Sequence, residues 1–290
     1  MDIKTILVPL NGGPMDGTAL AAAAPIAKRH GAHVTALFAA ADPSAIPMAM
    51  MGDGSGLALS EGLFETLQAQ IGERRIRAEA SFAAWRKSAG LPLAKRPGTR
   101  AGAGAGATLL VEIGEAAELV RIHSVLADLV VVPLPGPDEA SNELVLEAAL
   151  FDGGRPALAV PDIAAPAPAA DAPVLIAWNG SAEAAHALTA SLPVLAASRE
   201  IIVLHAGTAN RRTMLNPVAA YLAGHGIKAA TRGIPDHGDA GKAILDEAAR
   251  LEAGLLVIGA YTHSRVREFI FGGVTSYVLG HARLPVLTAH

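Results

Sequence analysis

The sequence repeats one strand–turn–helix segment, and this repeat limits the fold more than any other feature. An apolar run over residues 4–10 ends at Asn11-Gly12-Gly13 and leads into an alanine-rich stretch. A second apolar run ends at Asn179-Gly180-Ser181 and leads into another alanine-rich stretch. The two copies align without gaps at an offset of 168 residues, taken from Asn11 and Asn179. A repeat this long indicates duplicated domains, because solenoid repeats span only about 20 to 50 residues.

Short apolar strands alternate with helical patterns on both sides of the repeat, which predicts two parallel α/β sheets with right-handed crossovers. We expect a first domain over residues 1–163, a proline- and alanine-rich linker over 164–173, and a second domain over 174–290. The first half carries a methionine-rich insertion over 41–62, and a long charged helix is expected over 63–89. In the second half a single modest helix over about 213–223 is expected in the same place. The low-complexity run AGAGAGA, residues 101–107, is interpreted as a loop after the third strand.

Composition disfavours several classes of partner. The 290 residues contain 23 Lys and Arg against 27 Asp and Glu, a net charge of -4, so no basic surface for nucleic acid or an anionic membrane is indicated. The absence of cysteine fits a reducing compartment. No uncharged apolar stretch approaches the roughly 20 residues of a membrane span. These observations predict a soluble cytoplasmic protein.

The last 37 residues contain the strongest functional signal. The run LLVIG ends at Gly259 and is typical of a buried parallel strand. Gly272 and Gly273 come just before a helical pattern that begins at Val274 and contains Thr275. Free backbone N–H groups at the start of such a helix favour a bound anion.

This arrangement resembles the universal stress protein family, whose nucleotide-binding members carry G-x2-G-x9-G-(S/T) after the fourth strand. The first three motif positions fall on Gly259, Thr262 and Gly272, and the hydroxyl position falls on Gly273, two residues before Thr275. The resemblance covers both halves and implies a tandem member. It also implies an α/β fold class with two open parallel-sheet domains, Rossmann-like and similar to adenine nucleotide α-hydrolases.

The resemblance implies a stress-response regulatory protein that binds ATP or a related adenine nucleotide in the second half, with Mg²⁺ as the accompanying cation. No placed general base is evident, so turnover is expected to be at most that of a slow ATPase. The binders place Asp at the end of the first strand, where this chain has Asn179. The candidate site is formed by Asn179, Gly180, Ile258, Gly259, Thr262, His263, Ser264, Arg265, Gly272, Gly273, Val274 and Thr275.

The first half lacks the same residues, because Pro133, Glu143 and Leu144 stand where the second half has its glycines. We therefore expect that half to be structural. His205 and His263 are candidate metal ligands, but no histidine pair has metal-site spacing, so no metal site is predicted. An alternative function is a nucleotide-free interaction module that acts through an internal pseudo-dimer and the insertion. The fifth strands of the two halves are expected at that internal interface, and an additional homodimer is left open.

Overall fold

The computed structural model describes residues 2–42, 61–94, 104–134, 140–162, 172–207, 211–260 and 273–290. The insertion and the linker therefore lie almost entirely outside the described residues. The elements of the first half are β1 (Thr5–Leu10), α1 (Asp16–His30), β2 (His33–Ala40), α2 (Glu61–Ala89), β3 (Gly106–Ile113), α3 (Ala116–Ser124), β4 (Leu129–Pro133), α4 (Ala140–Glu147), which continues as a π-helical turn (Ala148–Asp152), and β5 (Ala157–Val160).

The second half repeats the order with one change, since two short helices follow its second strand in place of one long helix. Its elements are β6 (Val174–Ala177), α5 (Ala182–Leu195), β7 (Ile201–Ala206), α6 (Arg211–Met214), α7 (Asn216–Gly224), β8 (Ala230–Ile234), α8 (Ala240–Arg250), β9 (Leu255–Gly259), α9 (Gly273–His281) and β10 (Val286–Ala289). The predicted α/β class is confirmed, and the strands form one large, mostly parallel sheet.

The described strands form a single ten-stranded sheet in the order β3-β2-β1-β4-β5-β10-β9-β6-β7-β8. Each half is parallel throughout, and the only antiparallel neighbours among these strands are β5 and β10. Leu158 of β5 lies opposite Leu287 of β10. The prediction that the fifth strands meet between the two halves is therefore confirmed, and the pairing hides two apolar edges that would otherwise be free to aggregate.

Alternating side chains of the strands enter two apolar cores, one on each face of the sheet. Ile6 and Val8 of β1 belong to the core beneath α1, α2, α5 and α7. Leu7 points to the opposite core, beneath α3, α4, α8 and α9. A sheet covered by helices on both faces explains the continuously apolar strand sequences.

Two expectations about the elements were wrong. The low-complexity run does not follow the third strand, because Gly106 and Ala107 begin β3. Ala107 bridges to Leu93 and donates its N–H to the Pro92 carbonyl, so long-range pairing fixes these small residues as strand. The single helix expected near residues 213–223 is divided into α6 and α7, and Leu215 separates them. No helix among the described residues has both the length and the apolar character needed to cross a membrane.

Candidate functional site

The candidate site lies where the strand order of the second half reverses. β6 and β9 are neighbours there, and the helices that come next in the sequence, α5 and α9, pack on opposite faces of the sheet, which opens a crevice at the carboxyl ends of the strands. A cavity of about 270 Å³ occupies this crevice. Its described lining residues are Ala177, Trp178, Asn179, Leu204, His205, Ala206, Ala240, Ile244, Ile258, Gly259, Gly273, Val274 and Thr275.

The turn after β6 is built by Asn179. Its Oδ1 accepts the Ser181 N–H at 3.0 Å, and Gly180 adopts φ +83°, a left-handed conformation that glycine tolerates without strain. The Ser181 Oγ then accepts the Ala184 N–H at 3.1 Å and caps α5. The asparagine oxygen is therefore used by the turn, while Asn179 itself still lines the cavity.

Gly259 permits a close approach of α5 to the end of β9. A Cβ at this position would lie 2.5 Å from the Ala184 nitrogen and 2.6 Å from the Glu183 carbonyl carbon. Both distances are shorter than real Cβ contacts, and the atoms belong to backbone that cannot swing away. Gly259 is thus required by helix–strand packing, whether or not a ligand approaches it.

The start of α9 forms another wall of the cavity. Thr275 is buried, with 6% of its surface exposed, and its Oγ1 donates to the Gly259 carbonyl at 3.1 Å. This bond ties the helix to the end of β9, so the hydroxyl expected to face an anion is occupied by a structural contact. Gly273 begins the helix, and a Cβ there would meet nothing within 4 Å. The first N–H groups of a helix have no partner within the helix, which is why helix N-termini can bind anions.

Trp178 and His205 also line the cavity, and the candidate-site prediction included neither. The His205 Nδ1 lies 2.8 Å from the Trp178 carbonyl oxygen. His205 is the only ionisable side chain among the described lining residues. Its position near the end of β7, beside the strand that borders the crevice, is the sequence signal that could have identified it.

The structure brings together six of the predicted residues: Asn179, Ile258, Gly259, Gly273, Val274 and Thr275. Gly180 belongs to the turn but does not line the cavity, and a Cβ on it would meet the Met214 Cε at 3.5 Å. The remaining predicted residues lie outside the described part of the chain: Thr262, His263, Ser264, Arg265 and Gly272.

The equivalent crevice of the first half holds a cavity of only about 40 Å³. Asp16 is 2% exposed there, and its carboxylate accepts the N–H groups of Asn11 and Gly12 at 3.0 and 2.9 Å. Burial raises the pKa of the Asp16 carboxyl, against the opposing effects of these N–H groups and of Arg77. Pro133, which the sequence places in the position of Gly259, also lines this small cavity. Within the described residues of both halves, no group of three or more His, Asp or Glu side chains could hold a metal ion.

Comparison with known proteins agrees with this architecture. Residues 219–290 match the model of the universal stress protein family. The whole chain has the fold of a universal stress protein from Archaeoglobus fulgidus, with a TM-score of 0.71 at 16% identity over 98% of this chain and 97% of that one. A putative universal stress protein from Pseudomonas aeruginosa gives a TM-score of 0.58 at 15% identity over 99% and 93% of the two chains. No curated protein matches the sequence.

The fold and these similarities place this chain among the α/β proteins that have a crevice where the strand order reverses. The match to the universal stress protein family model covers residues 219–290, which run from within α7 to β10 and include seven of the thirteen described residues of the cavity wall. The rest of the chain completes the tandem fold that is shared with the two full-length structural matches.

Proposed function

We propose that the second half binds an adenine nucleotide, ATP or a close relative, and releases it without fast turnover. The nucleoside would occupy the 270 Å³ cavity, and the phosphates would extend toward the first turn of α9. The observation that carries this proposal is that the first turn of α9 forms part of the wall of a mainly apolar cavity at the reversal of strand order. The cavity is close to the lower end of small-molecule sites, which is about 300 Å³.

The chemistry of the described wall supports binding more than catalysis. Its only ionisable side chain, His205, is held by the Trp178 carbonyl. Asn179 and the N–H groups of Gly273 and Val274 add neutral polar groups that can orient a ligand. Mg²⁺ enters the proposal only as the cation that accompanies the phosphates of ATP. A regulatory role in stress responses is proposed from the family match of residues 219–290.

The test is calorimetric titration of the full chain with ATP, with Gly273→Asp as the disrupting variant. A carboxylate at the first residue of α9 would repel phosphate, and Gly273 has open space for the new side chain. The same carboxylate favours the helix dipole, so the fold should not be weakened. We expect affinity to fall about two- to thirtyfold, from a helix-terminal charge effect of about 0.3 to 2 kcal/mol.

Gly280→Asp is the matched control. It adds the same charge to the same helix about 10 Å away along the axis, at a position that also has no neighbour within 4 Å of a new Cβ. ATP affinity should remain within about twofold of the parent, because the effect is confined to the first or last turn of a helix. Equal losses in both variants would contradict binding at the start of α9, and no saturable heat with the parent would refute nucleotide binding altogether.

Intrinsic fluorescence can locate the ligand independently. The chain has two tryptophans: Trp178 on the cavity wall and Trp85 in the apolar core of the first half. A Trp85→Phe variant leaves Trp178 as the only reporter. Its emission should change in a saturable manner with the affinity found by calorimetry. A nucleotide that binds without changing this emission would lie elsewhere in the molecule.

The nucleotide-free interaction module remains the second candidate, and the pairing of β5 with β10 favours it. This pairing makes the two halves an internal pseudo-dimer with a fixed arrangement of outer helices. If ATP, ADP and AMP all fail to bind, the assembled surface of this pseudo-dimer becomes the functional feature. Recognition of a protein by the full chain should then be unaffected by Gly273→Asp.

A further inference from the structure

A histidine, His205, is among the residues that line the candidate cavity, and its two ring nitrogens have different surroundings. The His205 Nδ1 lies 2.8 Å from the Trp178 carbonyl oxygen. A carbonyl oxygen can only accept a hydrogen bond, so Nδ1 must carry the proton. In the neutral ring, Nε2 is then a hydrogen-bond acceptor, and it has no hydrogen-bond partner among the described residues.

The backbone keeps space free beside this acceptor. Gly207 has φ +130°, and a Cβ added there would lie 3.3 Å from the His205 Nε2 and 3.6 Å from the Asp236 Oδ2. A larger residue at this position would be strained and would crowd the imidazole. The neighbouring Asp236 carboxylate supplies negative potential beside the same space, so a hydrogen-bond donor is favoured next to Nε2.

We propose that His205 is a specificity-determining residue, which selects a purine that presents an amino group to Nε2 over one that presents a carbonyl oxygen. This inference rests on the proposed nucleotide site, and it states that one side chain determines which base the site prefers. An exocyclic amino group donates to the neutral imidazole. A carbonyl oxygen at the same place would leave two acceptors facing each other without a hydrogen.

The experiment compares ATP with ITP, in which a carbonyl oxygen replaces the exocyclic amino group and the adjacent ring nitrogen N1 carries a hydrogen. Both are titrated into the full chain at mildly alkaline pH, where imidazole side chains are ordinarily neutral. We expect the parent to bind ATP about five- to hundredfold more tightly than ITP, the range given by an unpaired buried polar group. In His205→Leu the acceptor is lost, and the ratio of the two dissociation constants should approach one.

Two further variants separate selection from a purely structural role. His205→Gln introduces a side-chain amide, which can accept from an amino group and donate to a carbonyl. This variant should therefore bind ATP and ITP with similar dissociation constants. His281→Leu changes a histidine at the far end of α9 that does not line this cavity, and it should retain the parent ratio. A structural role for His205 would instead weaken ATP and ITP equally in His205→Leu.

The outcomes distinguish this inference from the proposed function. If the parent binds ATP at Trp178 and His205→Leu leaves the ATP/ITP ratio unchanged, the inference is overturned while nucleotide binding stands. If the parent binds neither nucleotide, both are overturned. A parent that binds ITP as tightly as ATP also overturns the inference, because no selection would then exist for His205 to provide.

Discussion

The two halves of this chain share a topology but differ at the crevice where a ligand would bind. In the second half the crevice holds about 270 Å³, whereas in the first half it holds about 40 Å³. Both begin with the same asparagine turn: Asn11 accepts the Gly13 N–H, and Asn179 accepts the Ser181 N–H. The difference therefore arises beyond the turn, in the side chains and helices that surround it.

In the first half, side chains and a helix of the protein itself occupy the crevice. The buried carboxylate of Asp16 takes the loop N–H groups, and the Arg77 Nε donates to the Gly12 carbonyl at 2.8 Å. A Cβ on Gly12 would lie 2.3 Å from the Arg74 carbonyl oxygen, so α2 lies directly over the loop. The second half has Ala184 at the offset position of Asp16 and only the short helix α6 near its turn. The comparison teaches that a duplicated fold can keep its turns and lose its site.

The largest expected effect concerns the number of ATP molecules that bind to each chain. Calorimetry of the full chain with ATP should give one site per chain, since the described residues of the first crevice enclose only about 40 Å³, too little for a nucleoside. The titration should use the full chain and not an isolated half, because cutting after β5 would expose the edge that pairs with β10. A stoichiometry of two would break the comparison by showing that the first half opens.

The next largest effect should come from Gly259→Ala, which places a Cβ 2.5 Å from the Ala184 nitrogen. We expect a loss of about 3 kcal/mol in the free energy of unfolding, at the upper end of typical overpacking costs. Urea denaturation measures the loss. The control is Gly280→Ala in α9, where the space is open and helix propensity predicts a gain of about 0.5 to 1 kcal/mol. If Gly259→Ala left the free energy of unfolding unchanged, α5 would not need to lie so close to β9.

A smaller loss is expected from Asp16→Ala, which leaves the Asn11 and Gly12 N–H groups without their acceptor. Unpaired buried donors cost about 1 to 3 kcal/mol, measured again by urea denaturation. Asp16→Asn keeps one acceptor oxygen and should lose less. If the two variants were equally stable, the carboxylate would not be what closes the first crevice.

The smallest effect concerns the pH dependence of the same residue. Burial raises the pKa of Asp16 in the folded protein. The contribution of Asp16 to the free energy of unfolding is therefore fully present below its pKa in the unfolded chain, and it is lost as the pH rises through its pKa in the folded protein. The cost of Asp16→Asn should therefore be greater near pH 4 than at pH 7, about 4 being the ordinary value for Asp. Paired urea titrations of parent and variant at the two pH values give the difference. If the loss of unfolding free energy in Asp16→Asn were larger at pH 7 than at pH 4, folding would lower the pKa of Asp16 instead of raising it.

Much of the architecture could be predicted because its signals are local in the sequence. The repeat that relates Asn11 to Asn179 predicted two similar α/β units, and the apolar runs predicted strands buried on both faces. The glycines at 259 and 273 predicted where a strand would end and a helix begin. Each of these signals depends on a few neighbouring residues, so no knowledge of distant contacts was needed.

Which crevice stays open was decided only by the tertiary structure. Arg77 reaches Gly12 from 65 positions away, and His205 meets Trp178 from 27 positions away. Thr275 was expected to face an anion, yet it donates to the Gly259 carbonyl because α9 lies against the end of β9. A cavity is the space left when distant side chains pack, and its volume depends on all of them at once. The sequence determined the strands and the turns, while long-range packing determined which half retained the space for a ligand.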